Sequence, residues 1–169
     1  VRVRWVNAEQ LDDADPAHVS AQLAGAHGVL VPGGYGYRGI EGKIRAAHTA
    51  RTERIPYLGL CLGLQIAVIE FAREALASTD ANSTEFDMFT KHPVIDFTPD
   101  QRGVEEKGGT QRLGLYPAKL ASGSRAATVY GSEIAYERHR HRFEVANRYK
   151  PQLEAAGMSF SGVSPDGWL

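Results

Sequence analysis

The chain has 169 residues, a single cysteine and a formal net charge of −1. One thiol excludes an internal disulfide and suits a reducing, cytoplasmic setting. A charge so near zero excludes the basic footprint of a nucleic-acid binder, and no apolar run approaches the ~20 residues that span a bilayer. Neither nucleic acid nor membrane is therefore expected as a partner.

The length suffices for one domain with a hydrophobic core. Val1 to Val6 alternates and predicts a strand rather than a signal peptide. Asp15-Pro16 opens a short helix through Ala24, with aspartate as cap and proline at the first helical position. Gly28 to Val31 is a buried strand that runs into the tight loop Pro32-Gly33-Gly34. Glu41 to Arg54 predicts a helix with Ile44, Ala47 and Ala50 on one face. Ile55 to Leu60 predicts a strand, and Leu62 to Ala77 an amphipathic helix with Ile66, Ile69 and Ala72 on one side.

Strand and helix thus alternate, which predicts an α/β fold with a mainly parallel central sheet covered by helices on both faces. The second half differs. Thr79 to Gly109 is polar and punctuated, with a short strand expected near Pro93-Val94-Ile95. Thr110 to Gly131 reads as short antiparallel strands and turns. Asn147 to Ala156 predicts a helix capped by Gly157, and Met158 to Ser164 a last strand.

The segment Gly59-Leu60-Cys61-Leu62-Gly63 joins a strand to a helix. That is the setting of a nucleophile elbow: small residues two before and two after let the chain turn sharply and leave the nucleophile exposed. A helix N-terminus aimed at the thiol favours the thiolate, the form that attacks carbonyl carbon. A lone cysteine is more often a small buried hydrophobe, but the flanking glycines have no purpose on that reading, since glycine weakens strand and helix alike.

Pro32-Gly33-Gly34-Tyr35-Gly36 also follows a strand. Bare backbone N–H groups there suit an oxyanion hole, with Gly34 and Leu62 as the donor pair. The spacing does not fit a Walker-type phosphate loop, and the lone G-x-G-x-x-G from Gly34 to Gly39 lacks the context of a dinucleotide site. Arg138-His139-Arg140-His141-Arg142 alternates, so a strand would put the two histidines on one face and the arginines on the other. A zinc site wants more ligands than that. An anion-facing or interdomain surface is expected, and no metal.

The strings VLVPGGYGYRGIEGKI, IPYLGLCLGLQIAVIEFARE and ANSTEF resemble the glutaminase domain of CTP synthases, which are class I glutamine amidotransferases. GGTQRLGLYPAKL and ERHRHRFEVAN resemble the same domain in the same order. The resemblance implies a three-layer α/β fold over residues 1–169 and hydrolysis of L-glutamine through a γ-glutamyl thioester on Cys61. It implies that Gly34 and Leu62 serve the oxyanion, and that Gly34, Leu62, Gly63, Leu64 and Gln65 hold the substrate. Glu85 would bind the glutamine α-amino group, and Arg142 would contribute to the glutamine site.

The domain itself is expected to need no cofactor. Ammonia would pass to an N-terminal synthetase domain that aminates UTP with ATP and Mg2+, in a homo-oligomer expected to be a tetramer. None of the six histidines is followed by Pro-Glu, although the family carries its base and orienting acid in an H-P-E string. The chain is accordingly expected to be incomplete at its carboxyl end, to lack the synthetase domain, and to be a weak glutaminase alone. Other readings of the elbow are a different class I amidotransferase, a γ-glutamyl hydrolase, or a non-catalytic module of the same fold.

Overall fold

The computed structural model describes residues 1–97, 112–165 and 167. The parts of the polar stretch and of the Gly108-to-Leu120 string that fall in 98–111, and positions 166, 168 and 169 of the chain end, lie outside the described residues. The chain divides into two units, Val1–Val94 and Ile95–Leu169.

In the first unit the expected caps and faces are realised. The Asp15 side chain accepts a hydrogen bond from the His18 N–H at 2.7 Å, and Pro16 begins helix α1 (Pro16–Leu23). Strand β1 (Val29–Val31) pairs in parallel with β2 (Tyr57–Gly59), in the register Val29↔Tyr57 to Val31↔Gly59. Helix α2 (Ile40–Thr52) buries Ile44, Ala47 and Ala50, and α3 (Leu62–Ala75) buries Ile66, Ile69 and Ala72. These are the faces that the periodicity marks. Each buried isoleucine contributes roughly 1.5–3 kcal/mol over an exposed one. A second cluster joins Leu11, Val19, Leu23 and Ala46, with Val29 and Ile55 packed against it. Strand β3 (Ala81–Ser83) follows, with Ala81 and Ser83 fully buried. It lies within the stretch expected to be loop, because three polar or small residues carry no strand signal.

Val1 to Val6 is not a strand. Its alternation is real, but among the described residues no strand pairs with it, and Val3 and Trp5 remain exposed. Propensity without a ladder partner leaves the backbone to water. The segment is held instead by Val6, packed on the Leu11 cluster, and by the Arg4 guanidinium, which donates to the Ala24 carbonyl at 3.1 Å.

Strand β4 (His92–Phe97) carries the division between the units, and includes the short strand expected there. In the second unit, Ile95–Phe97 of β4 pairs antiparallel with β7 (Phe143–Val145). Strand β5 (Arg112–Leu120) pairs antiparallel with β6 (Ile134–His141) and, at its end, with β8 (Gly162–Val163). The antiparallel style is as expected, but one nine-residue strand stands where several short ones were expected. Helix α4 (Arg125–Tyr130) replaces an expected turn; Ser124 caps it by accepting from the Ala127 N–H at 3.1 Å. The expected helix from Asn147 begins as a 3-10 turn, Asn147–Tyr149, and continues as α5 (Lys150–Ala155), which buries Leu153 completely. Among the described residues no helix is long and apolar enough to cross a membrane.

Two charge networks lock α3 in the first unit. Arg73 donates to both Glu41 oxygens at 2.7 Å and to the Ala81 carbonyl at 3.1 Å, tying α2, α3 and β3 together. Arg51 donates to Glu70 at 2.8 and 2.9 Å and also bonds Glu74. The Arg73 hydrogen bond holds the Glu41 carboxyl below its ordinary value of 4.5. A group with a depressed carboxyl pKa stabilises the fold above its unfolded value and loses that contribution as pH falls through the folded one. Arg73→Ala is therefore expected to cost about 1–3 kcal/mol at neutral pH. In denaturant titrations at several pH values, the gap to wild type should narrow as the pH is taken below the carboxylate range.

Candidate active site

Cys61 stands between the end of β2 and the start of α3, exposed, with φ 53° and ψ −106°. Few non-glycine residues hold such a conformation, and it costs about 1–3 kcal/mol unless the surroundings impose it. They do so here. The Leu60 N–H donates to the Val31 carbonyl at 3.0 Å, so β1 fixes the chain just before the thiol. Just after it, the Gly63 N–H donates to the Leu60 carbonyl at 2.9 Å and the Leu64 N–H to the Cys61 carbonyl at 3.0 Å.

The flanking glycines are explained by contact. A β-carbon at Gly63 would lie 2.1 Å from the Val31 carbonyl oxygen, and one at Gly59 would lie 2.3 Å from the Gly63 carbonyl. Both obstacles are backbone. The elbow is folded so tightly that β1, β2 and the first turn of α3 touch main chain to main chain.

The glycine loop lies beside the thiol. A β-carbon at Gly33 would be 3.4 Å from Cys61 Cβ, and one at Gly34 would be 3.1 Å from Leu62 Cδ2. Leu62 is the first residue of α3, where a backbone N–H has no acceptor within the helix. Two backbones able to supply donors thus meet at Cys61. Glu85 belongs to the same neighbourhood: its Oε1 accepts from the Gly36 N–H at 3.2 Å, while its own N–H donates to the buried Ser83 hydroxyl at 3.1 Å. Gly36 has φ 80°, a conformation glycine adopts freely, and this turns its N–H onto the carboxylate.

The first unit therefore brings together Gly34, Cys61 and Leu62, and ties Glu85 to the same loop at Gly36. Of the first-turn residues, Leu62, Gly63 and Gln65 are buried and Leu64 is exposed. Arg142 belongs to the second unit, on the single residue between β6 and β7. Among the described residues no group hydrogen-bonds the Cys61 sulfur. Sequence reasoning passed over Tyr57, whose hydroxyl donates to the Gly63 carbonyl at 2.8 Å; a tyrosine in a strand carries no signal of such a bond.

A cleft of about 300 Å3 lies near Asp12, Asp13, Glu41, Asn82 and Phe86 and does not include Cys61. Part of its acidic lining is already engaged, since Asp12 accepts from the Gly42 N–H at 2.7 Å and Glu41 pairs with Arg73.

In the second unit the alternating histidines lie on one face of β6, as expected. His139 Nδ1 lies 2.7 Å from His141 Nε2, and Glu144 Oε1 lies 3.2 Å from His141 Nδ1 and 3.3 Å from Arg112. The Arg112 guanidinium also sits 4.7 Å from the centre of the Tyr116 ring. Burial, and then the Arg112 charge, lowers both imidazoles below their ordinary 6.5, while burial raises Glu144.

A strand, an exposed thiol at strained φ, a helix N-terminus and a glycine loop together define an α/β enzyme fold with a cysteine nucleophile elbow. The family described as "Glutamine amidotransferase class-I" matches residues 1–168, and the chain belongs to that family. It is 58% identical over its whole length to the CTP synthase of Herpetosiphon aurantiacus, of which it covers 31%. It is 60% identical to the CTP synthase of Rubrobacter xylanophilus, covering all of this chain and 30% of that one. The chain thus spans under a third of the curated relatives it matches. Its fold matches that of the glutaminase domain of Trypanosoma brucei CTPS with bound acivicin, with TM-score 0.90 and 36% identity over 99% of this chain and 64% of that one.

Two tests follow from this geometry. Gly63→Ala is expected to destabilise the first unit by about 1–3 kcal/mol or more, because a methyl cannot share space with the Val31 carbonyl. Thermal unfolding measures this, and a fall in Cys61 accessibility to alkylation should accompany it. The second concerns His139 and His141. Their lowered values mean that the folded state binds fewer protons than the unfolded one just below pH 6.5, so stability falls as pH falls through that range. Wild type should lose more stability between about pH 7 and pH 5.5 than His139→Gln/His141→Gln, with Glu144 common to both.

Proposed function

We propose that this chain is the glutaminase portion of a CTP synthase and that Cys61 is the nucleophile by which the whole protein hydrolyses L-glutamine. The observation that carries the reading is Cys61 at positive φ on the N-terminus of α3, with the Gly33-Gly34 loop against it. In this mechanism the Cys61 thiolate attacks the side-chain amide carbon. The carbonyl oxygen becomes an oxyanion that the Gly34 and Leu62 N–H groups receive, a kind of stabilisation worth about 2.7–4 kcal/mol per donor. The C–N bond then breaks as the leaving nitrogen takes up the proton that the Cys61 thiol gave up, carried in the whole protein by the acid-base pair of the family's H-P-E string, so that ammonia departs and a γ-glutamyl thioester remains for water to hydrolyse.

Leu62, Gly63, Leu64 and Gln65 border the substrate at the first turn of α3. Glu85 is assigned to the glutamine ammonium, for which a carboxylate held beside the glycine loop is suited. Arg142 is assigned to the glutamine site as a guanidinium able to meet a carboxylate. In the whole protein, ammonia passes to a synthetase domain that uses ATP and Mg2+ to aminate UTP, in a cytoplasmic homo-oligomer. ATP and Mg2+ belong to that domain, and no step assigned to this chain runs through them.

Ammonia release from L-glutamine by the full-length protein tests the assignment. Cys61→Ala is expected to abolish it, with a loss of several orders of magnitude in kcat. Acivicin should label Cys61 in preference to a plain alkylator of equal intrinsic reactivity. Turnover that survives Cys61→Ala overturns the nucleophile. Equal labelling by the two reagents overturns the glutamine pocket.

A further inference from the structure

We infer that Tyr57 is a positioning residue for the oxyanion donors, acting through the first turn of α3. This rests on the nucleophile reading of Cys61 and goes beyond it. The Tyr57 hydroxyl donates to the Gly63 carbonyl at 2.8 Å. A carbonyl has two lone pairs, so Gly63 can accept this bond as well as one from its own helix. Gly63 is the second residue of α3, next to Leu62, and its peptide is packed between β1 and β2. A β-carbon on it would strike Val31, and its own carbonyl is what a β-carbon at Gly59 would strike.

That residue is the hinge between strained Cys61 and the rest of α3. Packing limits its translation, but a glycine has no side chain to resist rotation about its own bonds. The Tyr57 bond supplies the missing restraint. It is anchored in β2, so the direction of the first turn is set by the same strand that delivers the thiol. If the backbone between Leu62 and Gly63 were free to rock, the Leu62 N–H would point less steadily at a developing oxyanion, and small angular errors are costly at such donors. Burial, with the Glu70 charge adding to it, pushes the phenol up, so the hydroxyl keeps its proton and remains a donor across the working pH range.

The test compares two labelling reactions at Cys61. A glutamine-like electrophile such as acivicin uses the pocket and its donors; iodoacetamide needs only an accessible thiol. Tyr57→Phe is expected to slow the first by roughly three- to tenfold, the worth of one hydrogen bond, and to leave the second and its pH profile unchanged. para-Aminophenylalanine at position 57, which restores a donor at the same ring position, is expected to recover most of the loss. If wild type itself shows no preference for the glutamine-like reagent, the glutamine-pocket reading has failed and not this one. If wild type is selective and Tyr57→Phe is equally so, the positioning role is wrong. It is also wrong if both reagents slow together, since that marks a general loss of structure. Should Tyr57→Phe fail to fold, the para-aminophenylalanine variant decides: wild-type selectivity supports the donor, and selectivity lost in a folded variant overturns it.

Discussion

The carbonyl oxygen of Val31 lies where a side chain at position 63 would begin, and the Gly63 carbonyl lies where one at position 59 would begin. This mutual exclusion of β-carbons governs the first unit. It lets α3 start only two residues after the end of β2, so that the thiol has no long loop in which to wander. Cys61 then has to turn through φ 53°, because the strand ends pointing one way and the helix must leave another. The strain is sustained by backbone bonds on both sides, from Leu60 to Val31 and from Leu64 to Cys61. Exposure of the sulfur is therefore a result of close packing beneath it.

Helix α3 can bear that load only if it is itself held. Its apolar face does most of this, through Ile66, Ile69 and Ala72. A further restraint is ionic and comes from α2. Glu70 is nearly buried, and a lone buried carboxylate would be costly. Arg51 and His48 both reach it, so the charge is compensated. His48, Glu70 and Glu74 bring ligand atoms within 4.8 Å of one another, a spacing a divalent ion could use. The guanidinium of Arg51 already bonds both carboxylates and occupies the role a cation would play. The network is a helix-to-helix tie.

What the sequence made legible follows from which signals are local. The Asp15 cap, the buried faces of α2 and α3, and the elbow glycines are each fixed within a few residues, and each stands where periodicity and spacing put it. Val1 to Val6 failed because a strand is a property of two segments, and the pattern speaks for only one. Strand β3 and helix α4 were hidden because Ala81-Asn82-Ser83 and Arg125 to Tyr130 are too short for a period to show. At the site, Cys61, Gly34 and Leu62 were readable from chemistry and spacing. The bond from Gly36 to Glu85 spans 49 residues, and only the fold brings the two together. The placing of Glu85 came from family likeness, since a carboxylate in a loop says nothing of itself.

The alternation of Arg138 to Arg142 was also readable, and the pairing of β5 with β6 explains what it does. Cross-strand partners share a face. His141 pairs with Arg112 and His139 with Gly114, whereas Arg140 pairs with Leu113 and Arg138 with Leu115. The histidines thus share the face that holds Arg112 and Tyr116, while Arg138 and Arg140 stand exposed on the other, beside exposed Leu113 and Leu115. On the first face each histidine engages the other, and a permanent guanidinium lies close by. A metal ion would have to displace that hydrogen bond and sit beside a positive charge, so the pair is poorly suited to ligation. On the second face Arg138 and Arg140 are exposed, with no histidine between them.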